Sequence, residues 1–145
     1  MRKLLMAGLT ALLLTSLTSC GEDAEEAPTA TATTAAAVCE PDDLEKGVIS
    51  SFNVEVLSLE QAKATFVLSR DADTGILVHR LRLVGRVPFG PQRAQVTNEE
   101  TFDLPQEDGE PLEPGEYRLT LRAFEPGMLN SGEPIDTKSA CVTLG

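Results

Sequence analysis

The chain lacks tryptophan and has one tyrosine, one histidine and three cysteines among 145 residues. A hydrophobic core must therefore rest on Val, Leu, Ile and five Phe. The lone histidine, His79, excludes a multi-histidine metal site and leaves no specific Ser/His/Asp arrangement. No Gly-rich phosphate loop and no Cys/His metal spacing occurs. Enzymatic activity is not expected, and no cofactor is implied. Basic residues are also scarce: 12 Lys and Arg stand against 23 Asp and Glu, for a net charge of −11. Such a surface repels phosphate backbones and anionic headgroups, so nucleic acid is not an expected partner. The apolar run at the start, residues 4–17, has 14 residues, short of the roughly 20 that a membrane-spanning helix needs.

That run follows Arg2 and Lys3 and ends in small residues. A positive start, a short apolar centre and a small-residue end mark an export signal, with a transmembrane anchor as the alternative. Its last residues, Leu17-Thr18-Ser19-Cys20, resemble the lipobox of bacterial lipoproteins. The resemblance implies a diacylglycerol on the Cys20 thiol, cleavage before Cys20, and acylation of the new amine. One buried chain is marginal, but two or three hold a domain on a bilayer. The expected organisation is a signal peptide over 1–19, a lipidated N-terminus and flexible linker over 20–37, and a domain over 38–145. Removing the leader shifts the net charge from −11 to −13. The linker, "EDAEEAPTATATTAAA" with its flanks, has too little bulk to offset its ordering entropy; a short Ala-rich helix is the alternative. Gly21 stands where Asp would resemble an inner-membrane retention signal, which implies the outer membrane, on its periplasmic face or at the cell surface. Glu22, Asp23, Glu25 and Glu26 further resemble the acidic export signals of surface lipoproteins.

From Cys39 onward the pattern is alternation, the mark of half-buried strands. In "EYRLTLRAF", Tyr117, Leu119, Leu121 and Ala123 point one way and Arg118, Thr120 and Arg122 the other. "QAKATFVLS" puts Ala62, Ala64, Phe66 and Leu68 on one face. "GILVHRLRLVG" reads as a strand with Leu77, His79, Leu81 and Leu83 on its packed face and Arg80 and Arg82 on the other. Further strands are expected near 48–59, 94–104 and 137–144. "RDADTGI" reads as a hairpin loop with Gly75 at positive φ, and "RVPFGPQR" as a Pro-rich gap. The spacing predicts an all-β, antiparallel sandwich of about seven strands. "PLEPGEY" then resembles the tyrosine corner of immunoglobulin and fibronectin type III domains, with Leu112, Pro114-Gly115 and Tyr117 in place. The resemblance implies an immunoglobulin-like fold and a Tyr117 hydroxyl bonded to backbone near Leu112. The missing Trp, and the missing cysteine in the penultimate strand, favour the broader fibronectin-like sandwiches over antibody domains. A buried Tyr in another β fold is the alternative.

Candidate sites are few. Asp71 and Asp73 in "DADTG" fit the first two ligands of a calcium loop, but Gly75 comes one place early and no Glu stands at the twelfth. Glu125, Glu133 and Asp136 are expected near the same sandwich end. Met128 and Leu129 form an apolar pair in a tip loop: a contact point, or a cover folded over the sandwich end. Arg80 and Arg82 make a basic stripe: pairs with cross-strand acids, or a site for an anionic partner. The functional expectation is a membrane-anchored binding module of the cell envelope with a protein or glycan partner; a structural accessory subunit of an envelope complex is the alternative.

Lipidation of Cys20 leaves Cys39 and Cys141, which an oxidising envelope pairs into a disulfide. Closing a loop of about 100 residues contributes roughly 4.7 kcal/mol in the chain-entropy picture. Ala140, Val142 and Leu144 form an apolar face, so Cys141 points away from it. Two reduced thiols are the alternative. Titration of the denatured, unreduced protein is expected to find neither thiol free; two free thiols would exclude the bond.

Overall fold

The structure, a computed structural model, describes residue 39 and residues 43–145. The expected leader, Cys20 and the whole of the expected linker lie outside the described residues. Those described form seven strands: β1 (Ile49–Val56), β2 (Gln61–Leu68), β3 (Ala72–His79), β4 (Leu83–Gln92), β5 (Thr97–Asp103), β6 (Gly115–Phe124) and β7 (Asp136–Leu144). All pairings are antiparallel and make two sheets, ordered β1-β2-β5 and β4-β3-β6-β7. The result is the all-β sandwich expected from the alternation, compatible with an immunoglobulin-like domain.

The core lies between the sheets, where the period-2 patterns place it. Ala62, Ala64, Phe66 and Leu68 of β2 face Ile76 and Val78 of β3 and Tyr117, Leu119, Leu121 and Ala123 of β6; all are buried. The alanines of β2 let the sheets approach, and the scarce rings fill the space beside them. Phe89 of β4 stacks on Phe66 at 6.2 Å between centroids and meets Phe102 of β5 edge-on at 5.3 Å. Three of the five phenylalanines thus bridge the sheets in geometries that rings favour.

Three local expectations need correction. "DADTGI" is not a hairpin loop, because β3 runs through it. Gly75 sits at a register shift against β4, and its backbone packs closely. A Cβ there would come 2.9 Å from the Val87 carbonyl oxygen. "RVPFGPQR" is not a gap either. It belongs to β4, a sheet edge, where Pro88 and Pro91 break no second ladder. Finally, "GILVHRLRLVG" is two strands joined by a tight turn, with the Arg80 N–H donating to the Arg82 carbonyl at 3.1 Å. Ile76 and Val78 therefore face the core, and Leu77 and His79 share the outer face. Leu81 is 76% exposed at the turn. A turn inside an apparently continuous alternation reverses the chain and removes the shared face.

The sandwich is closed on one side by a single carboxylate. Asp136, at the start of β7, is 1% exposed. Its Oδ1 accepts from the Lys46 N–H (2.8 Å) and from its own neighbour Thr137 N–H (3.0 Å). Its Oδ2 accepts from the Val48 and Ile49 N–H groups, both at 2.8 Å. Beside it, Thr137 Oγ1 accepts from the Leu44 N–H at 2.9 Å. The segment entering β1 is thereby fastened to the first residues of β7, in the other sheet. Burying a carboxylate is costly unless its lone pairs are taken up, and four N–H donors meet that demand. An amide would offer only one oxygen and set its own N–H donors against backbone donors. Asp136→Asn and Asp136→Ala are therefore each expected to lower unfolding free energy by about 3 kcal/mol in urea titration; a loss under about 1 kcal/mol would contradict this role.

Candidate functional site: an arginine-lined cleft on the four-stranded sheet

The polar groups at the sandwich end that carries the β2–β3, β4–β5 and β6–β7 loops are mostly consumed by the fold. Asp71 accepts from the Ala94 N–H at 2.8 Å, and buried Asp73 accepts from the Gly127 N–H at 2.8 Å. Arg70 holds Glu125 with two contacts, 2.7 and 3.3 Å. Asp136 is buried under β1. Asp71, Asp73, Glu125 and Asp136, four of the five carboxylates expected to form an acidic tip, thus fasten separate loops. Among the described residues no group of three or more His, Cys, Asp or Glu side chains is gathered for a metal ion.

At the opposite end, Arg80 belongs to the β3–β4 turn. Its guanidinium donates to the Glu113 carboxylate at 3.0 Å and to the Tyr117 hydroxyl at 3.3 Å, and it lies 5.4 Å from the Tyr117 ring centroid. The Tyr117 hydroxyl donates in turn to the Glu113 carbonyl at 2.8 Å, one residue from the expected Leu112. Gly115 has φ +150° and sits under the guanidinium, where a Cβ would be 3.2 Å from Nη2. Arg80 therefore caps the β5–β6 corner, whereas Arg82 is exposed in the turn.

The outer face of the four-stranded sheet has a different character. Alternation along β6 sends Arg122 and Phe124 outward, and the β6–β7 loop folds over them. Arg86 of β4 pairs in register with Leu77, and Arg122 pairs with Gly75, so β3 separates the two arginines. Gly75 has no side chain there, which opens a cleft of about 160 Å³ between them. Leu77, Pro88 and Leu129 line its apolar part, with Asn130 and Gly132 from the loop. Leu129 is half-buried against this sheet and would touch a Cβ at Gly75 at 3.5 Å. Met128 beside it stays 43% exposed. The expected apolar pair is thus split between cover and surface.

Arg122 lies over the Phe124 ring at 4.8 Å. Burial pushes its guanidinium pKa down, and the nearby positive charge of Arg86 pushes it further. The ion pairs among the described residues are Lys63–Glu99, Arg70–Glu125 and Arg80–Glu113, so neither Arg86 nor Arg122 is in one. Larger hollows of 490 and 460 Å³ lie elsewhere. Asp103 accepts from Gln61 in the first, and Asp71 and Asp73 hold backbone amides in the second. Arg122 was legible as outward-facing, and Arg86 as the first residue of an apparent Pro-rich gap. Their meeting was not, since β3 and a bulge set it.

Cys39 and Cys141 lie side by side, with Cys141 Sγ donating to the Cys39 carbonyl at 3.1 Å. Both are thiols in this structure. Cys141 is exposed on the outer face, opposite Arg118. Burial, a hydrogen bond from Cys141 and neighbouring negative charge push the Cys39 thiol up to about 12.

Comparison with models of known protein families finds no match, and neither does comparison with curated proteins. The site's chemistry therefore rests on its geometry. Two like charges held near one another oppose folding slightly, an effect screened where one is exposed. Arg86→Gln is expected to raise the thermal midpoint at low salt by a shift equivalent to a few tenths of a kcal/mol. That gain should shrink at about 1 M salt, where the Debye length is ~3 Å. A lowered midpoint at low salt would show that Arg86 is held by a favourable contact instead.

Proposed function

We propose that this chain is a bacterial lipoprotein, anchored through acyl chains on Cys20, whose sandwich is a binding module of the cell envelope. The observation that carries the anchoring is the charged start, short apolar run and Leu17-Thr18-Ser19-Cys20 in succession. Two or three acyl chains supply lasting attachment without a protein span. The binding reading is supported by the sandwich and by the β6–β7 loop, which with three strands borders a cleft with two arginines outside any ion pair among the described residues.

The domain is of the immunoglobulin or fibronectin type III kind. Supporting this are the strand order in the two sheets and the hydrogen bond from Tyr117 to the Glu113 carbonyl, which has the form of a tyrosine corner. Cys39 and Cys141 form a disulfide in the oxidising envelope; their adjacency supports the pairing, and it would tie the segment before β1 to the last strand. The placement follows from Gly21: the outer membrane, on its periplasmic face or at the cell surface.

Labelling cells with a palmitate analogue tests the anchor. Wild-type protein is expected to take up label and partition into membranes, with a mature mass starting at Cys20. Cys20→Ser is expected to lose the label and accumulate with its leader. An unmodified Cys20 in the membrane fraction would overturn the lipoprotein reading. Capture from solubilised membranes tests the module, and an extracellular protein or glycan ligand is the expected result.

A further inference from the structure

We infer that the cleft between Arg86 and Arg122 is a binding site for a single carboxylate group with a short apolar body. This deepens the binding-module reading and rests on it. Four features of the cleft lead to the assignment.

The first is charge. The protein is strongly acidic, yet two arginines line this cleft, and neither is in an ion pair among the described residues. An anion between them removes their mutual repulsion and takes up donors that otherwise face water. The second is shape. Gly75 lies in register with Arg122 on one side and Pro88 on the other, so no side chain fills the floor. Any Cβ there would strike the Val87 carbonyl and reach Leu129. The third is orientation. Arg122 lies over the Phe124 ring, and a stacked guanidinium keeps its N–H edges available in its own plane. That fork matches the two oxygens of a carboxylate. The fourth is lining: Leu77, Pro88 and Leu129 supply apolar surface next to the charged edge.

Size and net charge narrow the ligand. The cleft of about 160 Å³ has room for roughly five waters at ~30 Å³ each, the scale of a four-carbon acid. A dianionic phosphate would meet the repulsive field of a protein with net charge −11 twice over, and it has no apolar part to use the leucines. The carboxylate has two possible sources, a free small acid and an acidic side chain of a partner peptide; both present the same group.

The test uses the mature chain purified in detergent and ¹⁵N-labelled, at neutral pH and constant ionic strength. Acetate, butyrate, a capped Ala-Glu-Ala peptide, inorganic phosphate and chloride are titrated while the Gly75, Gly132 and Arg122 Nε signals are followed. Butyrate is expected to give saturable shifts with a dissociation constant on the order of millimolar, tighter than acetate. Arg86→Gln and Arg122→Lys are each expected to weaken it by about tenfold, the second because a fork becomes a point charge. Leu129→Ala, a change in a loop, is expected to weaken butyrate more than acetate. A tighter response to the peptide than to butyrate assigns the carboxylate to a partner chain, and the reverse assigns it to a free acid. Shifts that grow linearly and match those with chloride overturn the inference, as does phosphate binding as tightly as butyrate, or Arg86→Gln binding as well as wild type. Failure to capture any envelope partner would count against the binding-module reading, whereas saturable butyrate shifts would still establish the carboxylate site.

Discussion

The two oxygens of Asp136 hold four backbone N–H groups, three of them on the segment entering β1. Much else depends on that arrangement. Among the described residues β1 pairs as a strand only with β2, and β7 only with β6, so no ladder joins the two sheets along this side. The carboxylate does so, and in the process it sets the path of the residues before β1. Cys39 lies beside Cys141, further along β7. A corner of similar logic lies at the other end, where Arg80, Glu113 and Tyr117 bind the β3–β4 turn to the start of β6. Between these two clamps the apolar faces and the Phe66–Phe89–Phe102 cluster fill the interior.

Charge is used in two ways. Five acids fasten loops: Asp71, Asp73, Glu113, Glu125 and Asp136 all bond to other parts of the chain. The surface that faces outward from β3, β4 and β6 carries Arg86 and Arg122, which do not serve in this way. Arg122 has lost part of its hydration and lies near another positive charge. Arrangements that work slightly against stability are the ones to examine for function, since a fold alone gives no reason to keep them. The chemical reading of the cleft follows from that contrast.

Sequence reasoning succeeded where the information is local. The alternation in β2 and β6 named eight buried residues, because a strand's faces repeat every two residues whatever it pairs with. It failed where a partner decides. The 80–82 turn looks like more alternation, since Arg-Leu-Arg continues the pattern of Leu77 and His79. The prolines of β4 look like a break, and only an edge position makes them harmless. Gly75 looks like a turn residue, yet it is a place where backbones come close. The acids near Asp71 suggested an ion site because their backbone partners, tens of residues away, carry no sequence signal.

By itself the amino-acid sequence determined the class of fold and the residues that face inward on the clearest strands, and it carries the Leu17-Thr18-Ser19-Cys20 motif on which the proposed anchor rests. Each is written in short-range pattern: period-2 hydrophobicity, turn residues, or a contiguous motif. Tertiary structure alone decided the sheet order, the closure by Asp136, the capping of Tyr117 by Arg80, and the meeting of Arg86 with Arg122 across Gly75. These depend on register and on loops returning from distant parts of the chain. A one-residue change of register would turn the same side chains to opposite faces.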